Sequence, residues 1–149
     1  MKEIQKIAAA ENFSAISVGK LSEIGDYVLQ MGPDFKIPGK VFGGAALGAT
    51  GGEFSFQMFA PGTESGFLHS HKTHEELYFF LAGQGEFQVD GQVFPIGEGS
   101  IVRVAPAGRR SIRNNGTEPL LMLCVQYRGA TFTQEDAADG CLLPDPVRW

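Results

Sequence analysis

The sequence predicts an all-β fold, and three observations support that prediction. The chain of 149 residues contains 20 glycines and 12 phenylalanines, a composition that suits short strands and tight turns more than a helical bundle. Polar and apolar residues alternate between Glu53 and Phe59, which is the period of a half-buried strand. Further along the chain, turn signals recur about every 8–12 residues, a spacing typical of a barrel or of a roll of two sheets.

Residues 1–49 are expected to form an arm outside the barrel. Residues 2–10 could make one or two helical turns, and short extended pieces are expected at residues 16–21 and 26–31. Prolines and glycines then interrupt any regular element up to Gly48. Because the arm is apolar but irregular, we expect it to pack on the barrel or on a partner subunit in a homodimer.

Residues 50–128 are predicted to supply the barrel. Its first strand is Glu53–Phe59, and Asp90-Gly91 lies between two alternating runs, which predicts a hairpin because this dipeptide favours the primed turns. Three further strands are predicted at residues 100–105, 110–114 and 120–127.

Residues 129–149 form a C-terminal tail in this division of the chain. Three apolar residues near its end are expected to pack back on the barrel: Leu142, Leu143 and Trp149.

The candidate chemistry lies in one histidine-rich stretch that holds every histidine of the chain: His69, His71 and His74. In an extended strand, His69 and His71 would project from the same face, roughly 7 Å apart. Residues 72–74 read as a turn and residues 75–81 as a second strand, which would bring a glutamate opposite the histidines. Two imidazoles and one carboxylate can bind a divalent transition metal and leave coordination positions open.

Two alternative roles for this stretch fit less well. A helical zinc-protease motif would need a second histidine at the position of Tyr78, so that motif is excluded. A single histidine at a strand end usually has an ordinary polar role. Three clustered histidines beside carboxylates instead favour a metal or ligand site.

The same stretch resembles the first motif of the cupin superfamily, which reads His-x-His, three or four residues, Glu, six residues, Gly. His69, His71, Glu76 and Gly83 match that spacing, and the match selects Glu76 over Glu75 as the ligand. The resemblance implies a cupin double-stranded β-helix, a jelly-roll-like barrel whose open end would hold a metal and a ligand.

The remaining residues of the stretch receive their roles from strand parity and position. Tyr78 and Phe80 share the parity of Glu76, so they are expected to line the pocket and contact a substrate, or simply to pack. His74 lies in the predicted turn and is expected to stay outside the site.

The second cupin motif usually supplies a histidine as fourth ligand, but this chain has no histidine after His74. Aligning the motif on Gly99 and Asn114 places Arg110 in the histidine position, whereas a shifted alignment places Ser111 there. We favour Arg110 because the residues that follow it continue the alignment without a gap.

An arginine in that position has two chemical consequences. It stays protonated, so it would repel a divalent cation and weaken its binding. It could also pair with Glu76 or hold a carboxylate or phosphate of a ligand. The ordinary alternative is that Arg110, like the neighbouring arginines, is solvated or pairs with surface acids.

The sequence therefore leaves the function open between an enzyme and a binding module. In the first case a small organic molecule binds in the barrel mouth of a mononuclear metal-dependent enzyme, of oxygenase or isomerase type, with His69, His71 and Glu76 holding Fe, Mn, Ni or Zn. In the second case the pocket binds a small anionic metabolite without metal or catalysis. A structural dimerisation domain is a third, weaker alternative.

Composition argues against several other classes. The net charge is −5 and no dense basic run occurs, which disfavours nucleic-acid binding. Cys124 and Cys141 form no disulfide framework, and the first residues lack the apolar region of a signal peptide. No stretch is long enough to cross a membrane. We therefore expect a cytoplasmic protein without membrane or nucleic-acid partners.

Overall fold

The computed structural model describes residues 2–149, so the first residue of the predicted arm lies outside it. Those residues contain twelve strands: β1 (Gln5–Ala10), β2 (Phe13–Ser17), β3 (Val28–Gln30), β4 (Lys36–Pro38), β5 (Lys40–Phe42), β6 (Glu53–Phe59), β7 (His74–Ala82), β8 (Gln84–Val89), β9 (Gln92–Gly97), β10 (Ile101–Val104), β11 (Arg110–Arg113) and β12 (Leu120–Arg128). The helical elements are a 3₁₀ helix (Leu21–Asp26), α1 (Gly44–Leu47) and α2 (Gln134–Ala137). None of these helices could cross a membrane.

Two antiparallel sheets enclose the main core. The larger has the strand order β10-β7-β12-β6-β5, and the smaller has the order β11-β8-β9. Buried side chains from both sheets form one cluster: Phe59, Tyr78, Phe80, Phe87, Ile96, Val104, Ile112, Leu120, Met122 and Cys124. The all-β prediction is confirmed, and the predicted strands of the barrel are present within three residues at each end.

Strand β7 is held on both sides, which fixes the direction of its side chains. Glu76 faces Val104 of β10 on one side and Gln126 of β12 on the other. Alternate residues of the strand, Glu76, Tyr78 and Phe80, are buried towards the space between the sheets. The parity expected from the sequence is therefore present, and it places one glutamate inside the fold.

Strand β6 has the predicted alternation, but its polar face is the more buried one. Ser55 and Gln57 are buried inside the barrel, whereas Phe56 and Met58 are half-buried on the outer face of the larger sheet. The reason is that residues from the N-terminal segment cover that outer face. Ile24, Tyr27, Val41 and Leu121 form a second cluster there, against which Phe56 and Met58 pack.

The helical turns expected at residues 2–10 are wrong, because β1 pairs with β2 in a hairpin. An alanine-rich segment of this length is marginal as an isolated helix, and pairing with β2 satisfies its backbone groups instead.

The expected packing of the tail is also wrong. Leu142, Leu143 and Trp149 are exposed in the single chain. Pro144 and Pro146 interrupt any regular pairing there, so no ladder of backbone hydrogen bonds holds these side chains against the barrel.

Two turns depend on residues with positive φ. Asp90 and Gly91 have φ of 50° and 84° and join β8 to β9 as a two-residue turn, which confirms the predicted hairpin. Gly83, the last residue of the first motif, has φ of 82°, and a Cβ there would lie 2.2 Å from the carbonyl oxygen of Pro119. Both the conformation and the close approach require glycine at position 83.

Candidate functional site

Glu76 is the centre of a polar cluster inside the barrel, and its carboxylate is almost completely buried. Its Oε1 accepts a hydrogen bond from Gln126 Nε2 at 2.7 Å and lies 3.1 Å from His71 Nε2. Its Oε2 accepts from the Tyr78 hydroxyl and lies 3.1 Å from Arg110 Nε. Four neighbouring groups therefore surround the two carboxylate oxygens.

These contacts keep Glu76 ionised. Burial by itself raises the pKa of Glu76, but the hydrogen bonds from Tyr78 and Gln126 and the charge of Arg110 outweigh it, and the pKa lies below its ordinary value. Burial also raises the pKa of Tyr78, so the phenol stays protonated and donates to the carboxylate. The cluster therefore holds a buried negative charge at neutral pH.

Arg110 supplies the compensating charge from the first position of β11. Its exposure is 0%, against 1% for Glu76. Its Nη1 donates to the carbonyl of Gly108 at 2.7 Å and lies 3.4 Å from that of Pro106. The Nε contact with Glu76 is an ion pair without hydrogen-bond geometry, and Nη2 has no hydrogen-bond partner within residues 2–149.

The alignment favoured from the sequence agrees with this geometry. The side chain of Arg110 contacts Glu76, whereas Ser111 is the next residue of β11 and no contact joins it to the carboxylate. The motif's asparagine has a structural role, because buried Asn114 donates to the carbonyls of Phe59 and Glu118. The neighbouring arginines lie outside, where Arg103 pairs with Glu75 and Arg113 with Glu86.

His69 and His71 approach the carboxylate from the loop before β7. Backbone hydrogen bonds in both directions join His69 to Arg110, and this bridge carries the imidazole to within 3.9 Å of Glu76 Oε2. The two imidazole rings are 5.3 Å apart. His74 is exposed at the start of β7, with its ring 5.5 Å from that of His71.

The environment of His69 keeps its imidazole neutral at neutral pH. Burial lowers the pKa of His69 most, the charge of Glu76 opposes this, and the charge of Arg110 lowers the pKa further. Its Nδ1 is buried without a hydrogen-bond partner in the described chain.

The donor set could hold a metal ion as far as type and spacing are concerned. One ligand atom each from His69, His71 and Glu76 can be chosen so that all three lie within 4.8 Å of one another. The charge of Arg110 does not fit such an ion. Two unit charges about 4 Å apart interact by roughly 4 kcal/mol in a partly screened site, and a dication would double that repulsion. A metal ion therefore does not fit while Arg110 stays paired with Glu76.

A cavity of about 420 Å³ opens beside this cluster. Its lining includes Arg110, His69, Gln57, Phe67 and Lys40. Lys40 lies on β5 opposite Gln57 of β6, and no carboxylate of residues 2–149 is in ion-pair range of its ammonium. Burial lowers the pKa of Lys40, although the charges of Cys124 and Glu76 act in the opposite direction.

Tyr78 and Phe80 do not line this cavity. Tyr78 takes part in the cluster through its bond to Glu76, and Phe80 packs edge-on against Phe87 in the core. Their contact with a substrate stays a prediction.

Sequence reasoning missed two polar residues of the site. Gln126 could have been found, because it is a polar residue at the inward parity of the apolar strand β12. Lys40 carries no such signal, because it lies in a short strand within a proline- and glycine-rich segment.

Comparison with known proteins gives a consistent result. The family model described as a cupin domain matches residues 55–126. A cupin protein from Bacteroides fragilis is 30% identical, with a TM-score of 0.67, and the match covers 77% of this chain and 94% of that one. The oxalate-binding protein of Thermotoga maritima is 33% identical over 72 residues, which are 48% of this chain and 59% of that protein.

A third relative is a structure from Acidithiobacillus ferrooxidans that is provisionally named a sugar phosphate isomerase. It is 31% identical with a TM-score of 0.54, and the match covers 60% of this chain and 58% of that one. The chain spans little more than half the length of the curated relatives it matches, 54% in one and 59% in the other. The family model, the near-complete overlap with the Bacteroides protein and the roll of two sheets agree: the chain belongs to the cupin superfamily.

Proposed function

We propose that this protein binds a small organic anion at the mouth of the barrel. One observation carries the proposal: buried Arg110 and half-buried Lys40 are two cations that line one cavity, and only Arg110 has a carboxylate partner among residues 2–149. Lys36 and Glu64, also in the lining, are exposed and of opposite charge. With His69 neutral, the buried site carries an excess positive charge that an anion would balance.

The chemistry of the lining fits such a ligand. The Nη2 group of Arg110 has no partner in the described chain, and a guanidinium suits the oxygens of a carboxylate or phosphate. Phe67 gives the cavity an apolar wall, and its volume falls in the range of about 300–1,000 Å³ that small-molecule sites occupy.

The names of two relatives agree with this ligand class. One is called an oxalate-binding protein, and the other is provisionally named a sugar phosphate isomerase. Both names refer to small organic anions, and each match covers less than two thirds of the relative. They support the class of ligand rather than a particular compound.

Thermal unfolding in EDTA tests the proposal with a panel of oxalate, malonate, succinate, pyruvate and glucose 6-phosphate. A ligand at about 100 times its Kd stabilises the folded state by about 2.7 kcal/mol, which corresponds to a rise in Tm of roughly 5–10 °C for a chain of this size. We expect at least one anion to give such a shift.

The controls are matched by charge and position. Arg110→Gln and Lys40→Met should lose the shift, whereas Arg109→Gln and Lys20→Met, at exposed positions, should keep it. A panel without any shift at millimolar concentration would contradict the proposal, as would an equal loss in the control variants.

The His69, His71 and Glu76 group favours a second candidate, a mononuclear metal-dependent enzyme of oxygenase or isomerase type. Calorimetric titration with Mn²⁺, Fe²⁺, Ni²⁺ and Zn²⁺ tests it. If these side chains are the ligands, His69→Ala and Glu76→Ala lose binding and His74→Ala keeps it. Binding lost in His74→Ala but kept in Glu76→Ala would overturn the assignment. If the parent does not bind metal at millimolar concentration, the result contradicts the metal-dependent enzyme and favours the metal-free binding module.

A further inference from the structure

We infer that Arg110 provides, from within the chain, the positive charge that a metal ion would otherwise supply at this site. The guanidinium and the Glu76 carboxylate are both buried, and their closest atoms are 3.1 Å apart. Arg110 also occupies the place that the second motif gives to the fourth metal ligand. The residue that supplies the cation therefore also stands at the position of the missing fourth ligand.

The ligand atoms are already engaged in the arrangement without a metal. Gln126 and Tyr78 donate to the two oxygens of Glu76. His71 Nε2 faces Oε1 at 3.1 Å, and in the tautomer with its proton on Nε2 the ring donates a hydrogen bond to the carboxylate. In that tautomer His71 is a hydrogen-bond donor, and Nε2 must lose the proton before it can be a metal ligand.

Arg110 is also fixed in place. Its Nη1 bonds to the carbonyl of Gly108 in the turn before β11, and its backbone pairs with His69 in both directions. Removing the guanidinium from Glu76 would break these contacts and leave a buried carboxylate without its counter-charge. The charges of Glu76 and Arg110 therefore compensate each other without a metal ion.

The inference predicts that one substitution converts the site into a metal site. Arg110→His removes the cation and places a third imidazole, as a fourth ligand, beside His69, His71 and Glu76. Arg110→Gln removes only the cation. Relative to the parent, we expect Zn²⁺ and Mn²⁺ to bind about 100-fold more tightly to Arg110→His and about 10-fold more tightly to Arg110→Gln.

Calorimetry of the purified full chain, stripped with EDTA and dialysed, measures these affinities with the metal alone. Arg109→His is the matched control, because it adds a histidine at the exposed neighbouring position and should bind no better than the parent. Adding Glu76→Gln to Arg110→His should abolish the gain. Circular dichroism identifies which variants are folded.

The measured affinities either support or overturn the inference. Parent affinity weaker than about 100 µM with a gain in either folded Arg110 variant supports the inference. Metal binding to the parent that is tighter than about 100 µM and is lost in His69→Ala overturns the inference. This result does not depend on whether any Arg110 variant folds. Folded Arg110 variants that bind no better than the parent overturn it as well.

Discussion

At the scale of single residues, the buried pair of Glu76 and Arg110 governs both the stability and the chemistry of the site. Glu76 receives hydrogen bonds from Gln126 and Tyr78 besides the ion pair, and Arg110 bonds to backbone carbonyls. Such a pair adds little stability relative to a well-packed apolar core, but removing one partner leaves the other charge buried without compensation.

Glu76→Gln should therefore lower the free energy of unfolding by about 3–5 kcal/mol at pH 7, because the charge of Arg110 stays buried. Urea unfolding measures the change. Glu75→Gln is the matched control: Glu75 is the adjacent residue of β7, and its partner Arg103 is exposed. A loss in Glu76→Gln no larger than in Glu75→Gln would contradict this account of the pair.

The direction of the pKa shift of Glu76 decides how its contribution to the free energy of unfolding depends on pH. Burial raises this pKa, but the hydrogen bonds and Arg110 lower it further, so the folded value lies below the ordinary 4.5. Between the folded pKa and pH 4.5, the unfolded state therefore binds more protons than the folded state. The contribution of Glu76 is fully present above pH 4.5 and is lost as the pH falls through the folded pKa.

The difference in unfolding free energy between the parent and Glu76→Gln should therefore shrink on acidification below about pH 4.5. Urea titrations at several pH values measure it. A difference that stays constant down to the acid unfolding of the parent would show that the glutamate does not titrate in this way.

At the scale of elements, strand parity accounts for what could be predicted from the sequence. The spacing of the first motif selected Glu76 over Glu75, and the alignment of the second motif favoured Arg110 over Ser111. Parity in β7 then placed Tyr78 and Phe80 on the same face as Glu76. Parity alone did not identify the polar face of β6 as the inner one, because that depends on the N-terminal segment covering the apolar face.

The features that could not be predicted depend on pairing between distant segments. Lys40 enters the cavity only because β5 pairs with β6 in the register that sets Lys40 opposite Gln57. The local composition of the first strand favours a helix, whereas its structure is decided by pairing with β2.

Gly83 tests the turn that ends β7. Gly83→Ala should destabilise the fold by about 2–4 kcal/mol, since it combines a positive φ with a clash against the Pro119 carbonyl. Gly91→Ala is the matched control: its φ is 84° but its added Cβ meets nothing within 4 Å, so only the conformational cost of about 1–2 kcal/mol applies. Equal losses measured by urea unfolding would show that the close approach at Gly83 does not matter.

At the scale of the whole molecule, apolar residues of the N-terminal arm stay exposed in the single chain. Phe13, Leu21 and Phe35 are 57%, 42% and 46% exposed. Tyr27 is buried against the larger sheet, whereas those three side chains are not. The barrel of the same chain therefore covers only part of the arm. We propose that a second copy of the chain covers the rest, as the composition of the arm leads us to expect.

Light scattering at micromolar concentration should then give a mass of about 32 kDa, twice the 16.0 kDa of one chain. Phe13→Asp should shift the protein towards the monomer, because it places a charge in the proposed interface. Val93→Asp, at an exposed position on β9, should not. A monomer mass for the parent would contradict the proposal.

We propose that a guanidinium, rather than a metal ion, organises the mouth of the barrel for an anion. A crystal structure of the parent, grown with millimolar Zn²⁺ and the anion that raises Tm most, tests it directly through anomalous diffraction at the zinc edge. We expect anion density against Arg110 and Lys40, with no anomalous peak between His69, His71 and Glu76. An anomalous peak among those three side chains, with Arg110 displaced from Glu76, would contradict it.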